Sequence, residues 1–77
     1  MRAVSFRQLR KMLVSHDPRF EFYKNKGKGS HRAIEHPDIS GRRVAFTIPV
    51  HREGDDIKTP YLSKIMRNFK LPKGFFN

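Results

Sequence analysis

The chain has 77 residues, with 17 lysines and arginines against seven aspartates and glutamates, and its formal net charge is +10 at pH 7. A domain of this size buries only about 60% of the surface that its unfolded chain exposes, which excludes a large enclosed cofactor cavity. The absence of cysteine excludes a disulfide framework and a thiolate zinc site. The positive charge favours a polyanionic partner, nucleic acid above all.

The N-terminal segment predicts an amphipathic helix. Ser5 followed by Gln8 fits a capping box, and apolar residues recur at helical spacing until about His16, where Asp17 and Pro18 end the helix. The segment lacks the long apolar run of a signal peptide or a membrane span. We therefore predict one cytoplasmic domain over residues 1–77, without membrane attachment.

Alternating apolar and polar residues predict three strands in the middle of the chain. The first includes Phe20 and Phe22, the second runs from Ser30 to Glu35, and the third from Arg43 to Ile48. Residues 25–29, rich in lysine and glycine, predict a loop between the first two strands.

A second helix is predicted near the C-terminus. Residues 50–58 are charged and are expected to be irregular, after which Thr59 is the predicted N-cap and Pro60 the first helical residue. The tail carries Phe75 and Phe76, which either dock onto the core or contact a partner. The sequence leaves both options open.

The α-β-β-β-α order predicts an α+β fold, a two-layer sandwich with a three-stranded antiparallel sheet and both helices on one face. His31, Ala33 and Glu35 are expected on the open face of the sheet. The positions predicted to face the helices are Phe20, Phe22, Ile34, Val44, Phe46 and Ile48.

His31 is the candidate catalytic residue because it lies at the exit of the positively charged loop. An imidazole with a pKa of about 6.5 can take a proton from a ribose 2′-hydroxyl, a step that typically contributes roughly 100- to 10,000-fold. Nearby cations would keep the ring neutral and hold phosphate oxygens. The general acid is open between His51 and Tyr23. The predicted substrate-binding residues are Lys26, Lys28, Gly29, Ser30 and Arg32.

Several different short segments follow one another along the chain, and their order and spacing can be compared with those of known families. They are the N-terminal helix, Lys26–His31, His36-Pro37, the turn Gly41–Val44, the strand-ending Pro49, His51–Glu53 and a last helix that runs into Leu71-Pro72. In order and spacing they resemble the HicA family, also known as YcfA-like proteins, the toxins of type II toxin-antitoxin pairs. The resemblance covers nearly the whole chain.

The resemblance implies a fold like that of double-stranded-RNA-binding domains. It also implies a small, metal-independent ribonuclease that cleaves mRNA, needs no cofactor and is held inactive by a HicB-like antitoxin; the free toxin is expected to be a monomer. The family's catalytic histidine carries over onto His31. Two positions depart from the family pattern: Arg32 stands where several relatives have a second histidine, and Pro60-Tyr61-Leu62 where many have Gly-Thr-Leu.

Simpler interpretations remain open beside the resemblance. Taken alone, a histidine at a loop exit is more often a solvated surface residue. His36 is interpreted as a turn residue, His51 as a turn or surface residue, and His16 as a partner of the helix dipole. The histidine spacing matches no zinc motif, so no metal site is predicted. The alternative function is a non-catalytic module that binds RNA or another nucleic acid through the same basic surface.

Overall fold

The computed structural model describes residues 3–24 and 31–77. None of the helices in these ranges has the length and hydrophobicity that a membrane-spanning segment needs. In chain order the elements are β1 (Val4–Ser5), α1 (Phe6–His16), β2 (Glu21–Lys24), β3 (His31–Ile39), β4 (Arg42–Pro49), β5 (Asp56–Ile57) and α2 (Thr59–Asn68).

The main sheet has three antiparallel strands in the order β2-β3-β4. Phe22 lies opposite Ile34, which lies opposite Phe46, and His31 lies opposite Pro49. This register places the apolar residues of the three strands in rows on one face. The predicted α+β fold, with two helices and a three-stranded antiparallel sheet, is confirmed.

The core lies between that face and the two helices. Ile34 and Ile48 expose no side-chain surface, and Phe22 meets Phe6 of α1 edge to face with ring centroids 6.1 Å apart. The helices contribute the buried residues Phe6, Leu9, Leu13, Leu62 and Ile65. All six strand positions predicted to face the helices are buried or packed against this cluster, so that prediction is confirmed.

Helix α1 begins as predicted. The Ser5 hydroxyl accepts the Gln8 N–H at 3.2 Å and the Gln8 side-chain oxygen accepts the Ser5 N–H at 2.9 Å, which completes a capping box. The next two backbone N–H groups, of Phe6 and Arg7, donate to the carbonyls of Asp55 and Glu53. The segment after β4 therefore closes over the start of α1.

Strand β3 is longer than predicted, and the interpretation of His36 as a turn residue is wrong. The strand continues to Ile39 with a register shift after His36, whose side chain is only 1% exposed. The turn to β4 consists of Ser40 and Gly41, both with positive φ, the conformation of a tight two-residue hairpin. Burial of the His36 ring on the helix side holds the strand together past Pro37.

The C-terminal half also differs from its prediction. Residues 50–58 are not wholly irregular, because β5 pairs with β1 and buries Ile57 opposite Val4. Thr59 is the first helical residue of α2 rather than its N-cap; Lys58 caps the helix through its carbonyl, which accepts the N–H groups of Tyr61 and Leu62. The pairing of β5 fixes where the chain enters the helix and outweighs the capping preference of threonine.

The C-terminal tail docks onto the core. Phe76 is fully buried, and Phe75 meets its ring edge to face at 5.0 Å. Phe75 also contacts the imidazole of His16, at the end of α1, at 5.4 Å. The sequence left open whether the two phenylalanines dock onto the core or contact a partner, and the structure shows docking onto the core.

Candidate functional site

His31 is the first residue of β3 and lies on the open face of the sheet, with its side chain exposed. Its cross-strand partner is Pro49, which has neither a donor nor an acidic group to offer the imidazole. Within the described ranges no side chain hydrogen-bonds this ring. The imidazole is thus accessible to a large substrate approaching from solvent.

Four of the residues predicted to bind substrate, Lys26, Lys28, Gly29 and Ser30, lie outside the described residues. The strands that flank them are described, and Lys24 lies opposite Arg32 in the β2–β3 pair. The chain therefore leaves β2 and enters β3 at the same end of the sheet, the end where His31 is located.

Arg32 points to the opposite face from His31, under the helices. Its guanidinium carbon lies 5.2 Å from the centre of the Phe6 ring, and its Nη1 lies 3.1 Å from the Glu53 carboxylate. Its Nη2 donates to the His51 carbonyl at 3.4 Å. The structure does not bring Arg32 together with His31.

Glu53 forms a shielded ion-pair cluster with Arg32 and Arg10. Each of its carboxylate oxygens faces one of the two guanidinium groups. Both carboxylate oxygens are hidden from solvent. They lie within ion-pair distance of the guanidinium groups, but the geometry does not meet the criteria of a hydrogen bond. The cluster ties the segment after β4 to α1 and β3, a link that sequence spacing gave no signal for.

His36 is a buried histidine with both ring nitrogens occupied. Its Nδ1 accepts the Asp38 backbone N–H at 3.0 Å, so the ring hydrogen is on Nε2, which donates to Asp17 at 2.7 Å. The ring packs edge to face on Phe20 at 4.7 Å. Because neither nitrogen is free, His36 supports the fold and is not available for proton transfer to a substrate.

Asp17 receives hydrogen bonds from two directions. The Arg19 side chain and backbone N–H donate to its carboxylate from one side, and His36 from the other. These bonds, those from Arg19 first, hold the pKa of Asp17 far below its ordinary value. The carboxylate is therefore charged at neutral pH, and its hydrogen bond with Nε2 fixes the orientation of the His36 ring.

The open face carries a second polar group, in which Tyr23 lies nearer to His31 and Glu21, Glu35 and Arg43 lie further along the sheet. Arg43 donates to Glu21 at 3.0 Å and to Glu35 at 2.5 Å, and the Tyr23 hydroxyl donates to Glu21 at 3.0 Å. The hydrogen bond to Glu21 raises the pKa of Tyr23 above its ordinary value, while Arg43 lowers that of Glu21. Tyr23 shares a face with His31, but its hydroxyl is already engaged with Glu21.

His51, the other candidate acid, is exposed two residues beyond Pro49, the cross-strand partner of His31. It lines a groove of about 300 Å³ together with Pro49, Lys58 and Tyr61. In the part of the chain that the structure describes, no group of three or more potential ligands is arranged to hold a metal ion.

Comparison with known proteins identifies one family. A family model described as HicA toxin of bacterial toxin-antitoxin matches residues 6–71. The matched range includes both helices, the three strands of the main sheet and His31. No curated protein and no solved structure matches the chain.

Proposed function

The chain belongs to the HicA toxin family of bacterial toxin-antitoxin systems, and on this basis we propose that it is a metal-independent ribonuclease that cleaves mRNA and is inhibited by a HicB-like antitoxin. One observation carries the proposal. The family resemblance falls on His31, and this histidine is exposed on an open sheet face directly after the lysine- and glycine-rich residues 25–29 of the sequence.

In the proposed reaction the His31 imidazole takes the proton of a ribose 2′-hydroxyl. The 2′-oxygen then attacks the adjacent phosphorus, and the bond from phosphorus to the 5′-oxygen of the next nucleotide breaks. That leaving oxygen takes up a proton from a general acid. The exposure of His31 supports this role, because a base must reach the hydroxyl of a polymer too large to be enclosed by a domain of this size.

His51 is the general acid that we favour over Tyr23. The Tyr23 hydroxyl donates its proton to Glu21, and its pKa is raised, so releasing that proton to a leaving oxygen is disfavoured. His51 is exposed just beyond the strand position opposite His31. A histidine also titrates in the pH range where proton donation is effective.

We assign phosphate binding to Lys26 and Lys28, with the backbone at Gly29 and Ser30 as further donors. Arg32, which the sequence placed in this group, already has its charge paired with Glu53 on the other face of the sheet. We therefore propose that Arg32 acts indirectly, by holding the start of strand β3 against helix α1.

The test is induced expression of the wild type, His31→Ala and the matched control His16→Ala, which alters another exposed histidine. Growth and mRNA integrity are followed in the cells, and cleavage of a defined RNA is followed with purified protein in the presence of a chelator. We expect the wild type and His16→Ala to arrest growth and cleave RNA, and His31→Ala to do neither while still binding RNA.

Two results would reject this assignment. If His31→Ala is as toxic as the wild type, the catalytic residue lies elsewhere. If the folded wild type binds RNA but neither cleaves it nor arrests growth, the protein is a non-catalytic nucleic-acid-binding module, the function that its net charge of +10 also fits.

A further inference from the structure

Tyr23 is an exposed aromatic residue on the open face, and its cross-strand neighbours have small side chains. Its side chain is 47% exposed, and Val14 on α1 is the only other large apolar side chain exposed to this degree among residues 3–24 and 31–77. Across the sheet Tyr23 lies opposite Ala33, which lies opposite Thr47. Neither neighbour is tall enough to cover the ring.

The strand positions of Tyr23 and His31 are close to each other in the register of the sheet. His31 lies two residues before Ala33 on the same face of β3, so Tyr23 and His31 are diagonal neighbours across the β2–β3 pair. Residues in this relation lie roughly 7–8 Å apart, within reach of a long aromatic side chain. One nucleotide can therefore contact both residues, or two successive nucleotides can contact one each.

The charge around Tyr23 suits a base better than a phosphate. Glu21 and Glu35 both pair with Arg43, which leaves an excess of one negative charge in this cluster of described residues, in a chain whose net charge is +10. A phosphate would be repelled here, whereas a neutral base would not. The hydrogen bond from the Tyr23 hydroxyl to Glu21 holds the ring in place and limits the entropy lost on stacking.

We propose that Tyr23 is a stacking platform that binds one unpaired base of single-stranded RNA beside the phosphate at His31. The inference rests on the proposed function for its substrate, and it adds a strand preference: a base inside a duplex cannot reach the ring. Stacking on aromatic side chains is the usual way in which proteins hold unpaired bases, and it tolerates different bases.

The composition of the chain allows a direct test. It contains no tryptophan and two tyrosines, Tyr23 and Tyr61. In a His31→Ala, Tyr61→Phe protein, Tyr23 is the only tyrosine, and RNA added to it stays intact. Titration with a single-stranded oligoribonucleotide should quench the tyrosine fluorescence as the anisotropy of a dye on the RNA rises. An RNA duplex should quench it far less.

Two substitutions in the same background measure the contribution of the ring. Tyr23→Thr keeps a good strand former and should weaken binding by roughly 5- to 150-fold. Tyr23→Phe keeps the ring and should bind within about threefold of its parent. Circular dichroism melts confirm that each variant is folded under the binding conditions.

The alternatives give different results. Binding without quenching, or equal losses in Tyr23→Thr and Tyr23→Phe, would overturn the stacking role and leave only the hydrogen bond to Glu21. Tighter binding of duplex than of single strand would overturn it too. Failure of the proposed function is seen separately, as wild-type protein that does not cleave RNA, and stacking can be observed in either case.

Discussion

The two histidines of β3 differ in every respect that decides chemical role. His31 begins the strand on the open face and is exposed, whereas His36, five residues later, lies on the helix face and is 1% exposed. An odd separation along a strand places two side chains on opposite faces. The same residue type therefore meets solvent at one end of β3 and the core at the other.

The difference shows why burial and hydrogen-bond partners must be considered together. Both nitrogens of His36 are occupied, by Asp17 and by the Asp38 N–H. Such a ring stabilises the fold but cannot exchange protons with a substrate without losing a bond. His31 contributes little to packing, and its proposed role is chemical. Substitutions at the two positions should consequently separate stability from activity.

The largest expected effect is at His31. His31→Ala should reduce the rate of RNA cleavage by roughly 100- to 10,000-fold, because a general base is lost. The free energy of unfolding should change by less than about 0.5 kcal/mol, since the side chain is exposed. Single-turnover cleavage and urea denaturation measure the two quantities.

His36→Ala should show the reverse pattern. It removes a buried ring and leaves Asp17 and the Asp38 N–H without their partner, so the free energy of unfolding should fall by roughly 2–4 kcal/mol. Cleavage per folded molecule should be retained at a temperature where the variant is folded. A stable His36→Ala protein that has lost cleavage would mean that the division of roles between the two histidines is wrong.

A smaller effect, with a pH dependence of known sign, is expected at Asp17. Hydrogen bonds lower the pKa of this carboxylate in the folded state, so its contribution to stability is complete above the ordinary carboxyl pKa and is lost as the pH falls toward the lowered value. Asp17→Asn should therefore be less stable than the wild type at pH 7, and the difference should shrink on acidification below about pH 4.

Urea denaturation of both proteins across that range tests the sign, and Asp38→Asn is the control because it removes a carboxylate outside the pair with His36. A difference between wild type and Asp17→Asn that grows as the pH falls would contradict the assignment.

The comparison of the two histidines also marks what the sequence could predict. Alternation gave the faces of the strands correctly, because the period of two is a property of the backbone: Ile34 was predicted inward and His31 outward. The capping box at Ser5 was equally predictable, since it is local. His36 was assigned to a turn because Pro37 follows it, a rule that tertiary burial of the ring overrode.

The features that escaped prediction depend on residues distant in the chain. The pairing of β1 with β5 joins Val4 to Ile57, and neither two-residue strand has a detectable pattern. The ion pair between Arg32 and Glu53 links strand β3 to the segment after β4. From sequence, a cation beside the candidate catalytic residue was assigned to the substrate, because spacing alone does not show which face holds its partner.

Arg32 and Lys28 offer a test of that reassignment. Arg32→Ala leaves Glu53 partly unpaired in a shielded position, and we expect it to lower the free energy of unfolding by roughly 1–3 kcal/mol. The salt dependence of RNA binding should stay the same, because the guanidinium contacts no phosphate. Lys28→Ala should do the opposite and reduce the slope of log affinity against log salt by about 0.7.

Denaturation curves and binding titrations at several salt concentrations give both quantities for both variants, in the His31→Ala background so that the RNA stays intact. A reduced salt slope in Arg32→Ala at unchanged stability would restore Arg32 to the substrate-binding group.

The smallest effect calibrates the others. Ser5→Ala removes the side-chain half of the capping box at the start of α1, which typically costs about 1 kcal/mol. Ser5 lies on neither face of the main sheet, so cleavage and RNA affinity of the folded protein should not change. If this modest loss of stability already lowers cleavage several-fold, then activity follows stability throughout the molecule, and only effects on cleavage beyond that dependence could be assigned to His31.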